Sequence, residues 1–185
     1  MINSFSILSR ASDVYEFVGY CQQAADTERV ALGFLPEVAY QQAAEQGKLF
    51  VAVSPSGDYL GHIMFGGVFP YIKVMQTYCL KDNRDLGVGR SLIKSLISWA
   101  EDRGYLSIIA RVAADLDAAN KFYESSGFQT VRSEKGGKVR NRTIFTKVLD
   151  LNTPSLFDLM GDQRQVTVPS LGLKSTFSGG TPLYA

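Results

Sequence analysis

Residues 81–112 constrain the fold more than any other part of the sequence. A polar loop that contains Gly87 and Gly89 leads into apolar residues at helical spacing, including Val88, Leu92 and Leu96. After Gly104 comes a short, almost wholly apolar segment at residues 106–112. A helix with one apolar face, followed by a strand buried on both faces, is typical of α/β domains in which helices cover a sheet.

The flanking pattern supplies the rest of such a domain. Residues 2–9 predict a first strand, Ser12 is a candidate N-cap for a helix over residues 13–21, and residues 36–46 predict another helix that ends at Gly47. Residues 49–53, 59–68 and 72–80 predict an antiparallel meander, with turns at 54–58 and 69–71. Residues 117–125 predict a helix that Gly127 ends, and Asp115 and Asp117 are candidate caps. Two closing strands, 128–133 and 139–149, flank a hairpin turn at 135–138.

The fold class that these elements predict is α/β, with a mixed central sheet of about six to seven strands and helices on both faces. We expect one domain at residues 1–151, followed by a partly flexible linker or tail at 152–185, where prolines and glycines are frequent. A homodimer, or a fused or partner domain after residue 185, is left open.

Composition narrows the function classes. The 185 residues carry a net charge of +1, so no overall electrostatic attraction to nucleic acid or to a membrane surface is expected. No apolar run is long enough to span a bilayer. Cys21 and Cys79 are best explained as reduced thiols, and a single histidine makes a metal site unexpected. These features predict a soluble, cytoplasmic protein without a metal.

The loop Arg84-Asp85-Leu86-Gly87-Val88-Gly89-Arg90-Ser91 has the features of an anion site. Glycines let the backbone approach a bulky ligand, and the unpaired amides at a helix start attract phosphate. A dinucleotide fingerprint would need a third glycine at Leu92, and a triphosphatase loop would need a Gly-Lys-Ser/Thr ending. An ordinary helix entry with two glycines is the remaining alternative.

Two segments together resemble the GCN5-related N-acetyltransferases. Arg84-x-x-Gly87-x-Gly89 is similar to that family's Gln/Arg-x-x-Gly-x-Gly/Ala pattern, and residues 117–128 contain Ala119-Asn120-x-Phe122-Tyr123-x-x-x-Gly127-Phe128, similar to its second motif. The resemblance covers roughly residues 2–150. It implies the acyl-CoA N-acyltransferase fold, acetyl-CoA as cofactor, and transfer of the acetyl group by direct attack of an amine.

The resemblance also implies site residues. The fourth and fifth strands should splay apart to admit the pantetheine arm, with Tyr123 as general acid and the Cys79 amide as oxyanion donor. The implied cofactor-binding residues are Thr77, Tyr78, Cys79, Leu80, Arg84, Asp85, Leu86, Gly87, Val88, Gly89, Arg90, Ser91, Asn120 and Tyr123. Many members have an asparagine where this chain has Leu116, and Asn120 is the candidate to replace that contact. The candidate acceptor-site residues are Phe34, Leu35 and His62.

Two other functions are compatible with the sequence. Leu116 in a polar position and the trailing tail suit a non-catalytic acyl-CoA-binding regulatory module. A basic run suits a tRNA-directed acetyltransferase toxin; its residues are Arg132, Lys135, Lys138, Arg140, Arg142 and Lys147. A solvated hairpin face is the favoured explanation of that run, so nucleic acid is the weaker partner and an amine of a small molecule, peptide or protein is the expected one.

Overall fold

A computed structural model describes residues 4–139 and 142–152. The chain forms one seven-stranded mixed sheet in the order β1-β2-β3-β4-β5-β7-β6. The strands are β1 (Ser6–Leu8), β2 (Leu49–Val53), β3 (Tyr59–Gly66), β4 (Tyr71–Cys79), β5 (Ser107–Ala113), β6 (Gln129–Val139) and β7 (Arg142–Asn152). The helices are α1 (Ala11–Val14), α2 (Val18–Thr27), α3 (Arg29–Leu32), α4 (Glu37–Glu45), α5 (Val88–Glu101) and α6 (Asp117–Ser125). The predicted fold class is confirmed.

Helices cover the two faces of the sheet. Alternate residues of β2 face opposite ways: Leu49 and Val51 pack with α1, α2 and α4, while Phe50 and Ala52 pack with α5. The buried face of α5 is made by Val88, Leu92, Ile93, Leu96 and Ala100, whose spacing follows the helical period. The predicted meander is confirmed, because β2, β3 and β4 pair antiparallel in sequence order.

The fourth strand contains a bulge. Met64 pairs with Gln76 but Phe65 pairs with Val74, so Met75 is an extra residue on β4. Ile72 and Val74 face α5, and strict alternation would send residues 76 and 78 the same way. Tyr78 instead packs in the α2–α4 core. The bulge therefore exchanges the two faces of β4 over its last residues.

Several local predictions were wrong. The first helix begins at Ala11, one residue before Ser12, and the Ser12 hydroxyl donates to the neighbouring Asp13 carboxylate 2.7 Å away instead of capping a helix. Neither Asp115 nor Asp117 occupies the N-cap position of α6, since the N-cap residue is Leu116. The hairpin turn is not at residues 135–138. There β6 continues to Val139, which pairs with Arg142, because the glycines are accommodated by a register shift between Lys135 and Lys138.

Two further expectations concern membrane-spanning helices and metal ligands. Within residues 4–139 and 142–152, no helix is long and apolar enough to cross a membrane. The same part of the chain contains no group of three or more metal-ligating side chains. The predicted tail, apart from Asn152 at the end of β7, lies outside the described residues.

Candidate active site

The centre of the sheet contains a gap between its fourth and fifth strands. These strands are parallel, and they pair only at Tyr71 with Ser107, Ile72 with Ile108 and Lys73 with Ile109. Beyond the Met75 bulge the last residues of β4 pair with β3 alone, while β5 stays paired with β7 up to Ala113. The strands therefore diverge as the resemblance implied, and within the described residues one edge of β4 has no strand partner over its last residues.

The open edge of β4 offers backbone groups to a ligand. Leu80 N–H donates to Leu60 O at 3.0 Å, across to β3. Because N–H groups alternate between the two edges of a strand, those of Cys79 and Thr77 face the gap. An extended chain that contains amides could pair with them as a neighbouring strand would. The structure therefore places the predicted residues Thr77 and Cys79 along the open edge of β4.

Tyr123 lies across the gap from Thr77. Its hydroxyl is 3.0 Å from Thr77 Oγ1, which joins α6 to β4 at the point of divergence. Burial raises the pKa of Tyr123 to about 12, and the hydrogen bond with Thr77 opposes that rise. The phenol is therefore protonated throughout the neutral range and can donate a proton.

Cys79 can contribute its backbone but not a thiolate. Burial raises the pKa of its thiol to about 11, against a smaller opposing effect of the Arg84 charge. Its sulfur also lies close to Gly89, the second residue of α5: a Cβ built on Gly89 would be 3.3 Å from Cys79 Sγ and 3.0 Å from Phe122 Cε2. The absence of a side chain at Gly89 therefore allows α5 to pack closely against Phe122 of α6 and Cys79 of β4.

The N-terminus of α5 is shaped as an anion site. Gly87 has φ 86° and ψ −1°, in the left-handed region, and no side chain caps the helix. The first helical bond runs from Ser91 N–H to Gly87 O at 3.0 Å, so the amides of Val88, Gly89 and Arg90 precede it. The amides and the helix dipole together favour a diphosphate at this position.

The remaining residues of the loop differ in their exposure and in their contacts. Asp85 is exposed and has φ 65°, Leu86 and Arg90 are exposed, and Val88 is buried. The Arg84 side chain does not point freely into solvent: its Nε donates to Cys79 O at 3.2 Å and its Nη2 lies 3.4 Å from Glu28 Oε1. The loop therefore presents backbone amides and Arg90 to a ligand, while Arg84 is engaged elsewhere.

Asn120 is buried rather than open to the gap. Its Nδ2 donates to Ala113 O at 3.0 Å and to Leu116 O at 2.9 Å, which ties the end of β5 to the start of α6. Its Oδ1 has no hydrogen-bond partner within the described part of the chain. Asn120 thus holds the loop at Leu116, and only Oδ1 is left to accept a bond from a ligand.

The acceptor-site candidates lie on the other side of the sheet, which packs with α2 and α4. Tyr78 packs there beside His62, their ring centroids 6.2 Å apart. His62 is fully buried, and its Nδ1 lies 2.6 Å from the Tyr59 hydroxyl oxygen. Phe34 is exposed in the loop between α3 and α4, and Leu35 is partly buried against the same core. His62 is therefore enclosed among aromatic side chains of the core, whereas Phe34 is exposed to solvent.

His62 should make stability depend on pH. Burial lowers its pKa from 6.5 to about 4, so the unfolded chain binds a proton between those values and the folded chain does not. The free energy of unfolding should thus fall as pH falls, by about 1–2 kcal/mol between pH 7 and pH 5. Urea denaturation at both pH values checks this, because the chain has only one histidine. A His62→Gln variant should lose this dependence; an equal slope in both proteins would contradict it.

Three residues of this region, Gly61, Gln76 and Glu28, were missed from the sequence. Gly61 pairs with Cys79, and a Cβ there would collide with the Tyr78 carbonyl oxygen and lie 3.1 Å from Cys79 Cα. Gln76 accepts from the Tyr40 hydroxyl at 2.7 Å and donates to Leu32 O at 3.1 Å, and Glu28 pairs with Arg84. A glycine inside a strand does signal close backbone approach, so Gly61 could have been found; the others had no local signal.

Comparison with known families identifies this arrangement. The family model for the Acetyltransferase (GNAT) family matches residues 16–128, which include the α5 loop and α6. The chain belongs to the GNAT family of acetyltransferases. No curated protein sequence matches it.

Solved structures support the GNAT fold. The ribosomal-protein-S18-alanine N-acetyltransferase from Escherichia coli aligns with TM-score 0.62 and 19% identity, over 81% of this chain and 94% of that one. A putative acetyltransferase from Salmonella typhimurium, solved with acetyl-CoA, aligns with TM-score 0.69 and 16% identity over 81% and 94%. Spermidine N-acetyltransferase from Vibrio cholerae, solved with CoA and spermine, gives 0.65 and 12% over 82% and 96%.

Family membership confirms the predicted cofactor, acetyl-CoA, and the general chemistry of acetyl transfer. The residues present also fit that cofactor. The open β4 edge suits an amide-containing arm, and the uncapped α5 N-terminus suits a diphosphate. The roles of individual site residues follow from this fit as proposals.

Proposed function

We propose that this GNAT protein is an N-acetyltransferase that moves the acetyl group of acetyl-CoA to an amine by direct attack. The observation that carries the proposal is the position of Tyr123, a protonated phenol 3.0 Å from Thr77 Oγ1 beside the open edge of β4. A GNAT protein that only bound the cofactor would have no need of a proton donor at this point.

The proposed roles follow from the geometry of the chain. Acetyl-CoA supplies a thioester carbonyl that an amine can attack. The Cys79 N–H, which faces the gap, is the donor for the negative charge that develops on the carbonyl oxygen, as fixed backbone donors are in other acyl transfers. Tyr123 gives its proton to the departing thiolate, and its pKa near 12 keeps that proton in place until then. The proton that the attacking amine loses as the amide forms passes through water and restores the Tyr123 phenol. The N-terminus of α5 binds the diphosphate.

The proposed acceptor is an amine of a small molecule, peptide or protein. Phe34 and Leu35 lie in the loop after α3, on the face of the sheet opposite α5 and α6, and Gln76 holds that loop through its bond to Leu32 O. Known relatives of similar fold include enzymes named for a ribosomal-protein alanine and for spermidine. Peptide N-termini and polyamines are therefore the first acceptors to test.

The test is release of CoA from acetyl-CoA in the presence of an amine panel. The panel contains spermidine and short peptides with N-terminal alanine, and calorimetry measures acetyl-CoA binding to the same preparation. Turnover with any acceptor would remove the alternative of a non-catalytic binding module. Binding without turnover on the whole panel would favour that module, and an absence of binding would sink the proposal.

We also propose residues 1–151 as the catalytic domain, in a protein expected in the cytoplasm. The last described strand, β7, ends at Asn152 and pairs with β5 beside the gap, so the domain needs the chain to reach about this point. The side chains of Arg132 and Glu134 pair at 2.8 Å, which partly neutralises the basic run where it is described. That contact favours a solvated hairpin over an RNA-binding one.

A further inference from the structure

Glu28 connects the segment between α2 and α3 to the segment that precedes α5. It lies between α2 and α3, and its Oε1 is 3.4 Å from Arg84 Nη2 and 3.8 Å from Lys81 Nζ. Both cations lie just before the N-terminus of α5. One carboxylate therefore contacts two of the positive charges that could otherwise serve an anionic ligand.

The same contact brings Arg84 to the open strand edge. Arg84 Nε donates to Cys79 O at 3.2 Å, and the guanidinium lies 6.0 Å from the centroid of the Tyr78 ring. The Cys79 carbonyl faces the gap, where the proposed function places an amide-containing arm. Arg84 thus donates to the Cys79 carbonyl oxygen beside the gap, while its Nη2 contacts the Glu28 carboxylate.

Glu28 also begins the segment that leads to the acceptor loop. Its own carbonyl oxygen accepts from Ala31 N–H at 2.9 Å and Leu32 N–H at 3.0 Å, so α3 is built on Glu28. Leu32 in turn is bonded to Gln76 of β4. A change in the Glu28 contact would therefore shift Leu32, which precedes the loop that contains Phe34 and Leu35.

We propose that Glu28 is a positioning residue that competes with the cofactor diphosphate for Arg84. This inference rests on the proposed function. In the free protein Glu28 holds Arg84 against β4, and cofactor binding exchanges the carboxylate for a phosphate, with the Cys79 carbonyl released. Both anions use the same guanidinium, whose planar donors suit carboxylate and phosphate alike.

The expected effect is modest because the pair is partly exposed. The side chains of Arg84 and Glu28 are 48% and 30% exposed, and such pairs contribute only about 0–1 kcal/mol. Removing the competing charge should therefore tighten acetyl-CoA binding by about two- to fivefold. A residue that merely supported the fold would weaken binding when changed, so the direction of the effect is diagnostic.

The test is calorimetric titration of acetyl-CoA into the full chain and four variants. Glu28→Gln should bind acetyl-CoA more tightly than the unmodified protein, with a melting temperature lowered by at most about 2–4 °C. Glu16→Gln, which removes the same charge from an exposed position in the same helical layer, should leave the affinity unchanged. Combining Glu28→Gln with Arg84→Ala should cancel the gain relative to Arg84→Ala alone.

Each result bears on the inference. Equal or weaker binding by Glu28→Gln would overturn the competition, and so would the same gain in the Arg84→Ala background or in Glu16→Gln. If neither the unmodified protein nor any variant binds acetyl-CoA, the proposed function fails and the inference falls with it. Binding by all proteins with the same affinity overturns the inference alone.

Discussion

Replacing Tyr123 with phenylalanine should lower kcat about 100-fold or more, with the KM for acetyl-CoA changed by only a few fold. The variant keeps the ring that packs against Phe122 and Phe128 and loses only the hydroxyl beside Thr77. Loss of a positioned proton donor typically reduces rates by about 10²–10⁴-fold. Initial rates of CoA release at saturating acceptor measure the effect.

Two comparisons make this result specific. Tyr71→Phe changes an exposed tyrosine at the other end of β4 and should leave kcat unaltered. In the unmodified protein, kcat should show no fall from loss of the Tyr123 proton up to about pH 10, because its pKa is raised to about 12. A rate for Tyr123→Phe within threefold of the unmodified protein would assign the proton transfer to another group.

Replacing Gly61 with alanine should damage both stability and cofactor binding. The added Cβ meets the Tyr78 carbonyl oxygen and Cys79 Cα, which are backbone atoms that no rotamer change can move aside. Overpacking of this kind reduces stability by about 1–3 kcal/mol, or roughly 2–10 °C in melting temperature for a chain of this size. Since the displaced segment contains Cys79, acetyl-CoA affinity should fall about tenfold.

Gly66→Ala is the matched control for this change. Gly66 lies on the same strand, and a Cβ built there meets no atom within 4 Å. Its substitution should be neutral or slightly stabilising, because alanine restricts the unfolded chain more than glycine does. Calorimetric melting and acetyl-CoA titration of both variants settle the matter. Equal behaviour of the two would mean that β3 and β4 tolerate a wider separation at Gly61.

The sequence predicted most of the scaffold because its signals are local. The helical spacing of α5, the glycines that end α4 and α5, and the apolar run of β5 each depend on a few neighbouring residues. The two motifs likewise lie in single segments, so the family and cofactor were predictable. Tyr123 and Thr77 were both candidates, although their hydrogen bond across 46 positions was not predicted.

The errors and omissions share a different cause. The Glu28–Arg84 pair and the Tyr40–Gln76–Leu32 connection join residues that are far apart in the sequence, and no local pattern encodes them. His62 was considered for the acceptor site from its position in a strand, but burial depends on what the helices place over it. The glycine pair near residue 136 signalled a turn, whereas the register shift in β6 accommodates it within a strand.

The extra residue at Met75 divides the fourth strand into two parts with different partners. Upstream of it, β4 pairs with a neighbouring strand on both edges. Downstream, Thr77 and Cys79 contact α6 and α5, whereas Gln76 and Tyr78 pack with residues of α2 and α4. A chain one residue shorter here would transpose those two sets. Which side chains of β4 face the proposed cofactor side of the sheet, and which face the proposed acceptor side, therefore depends on a single inserted residue.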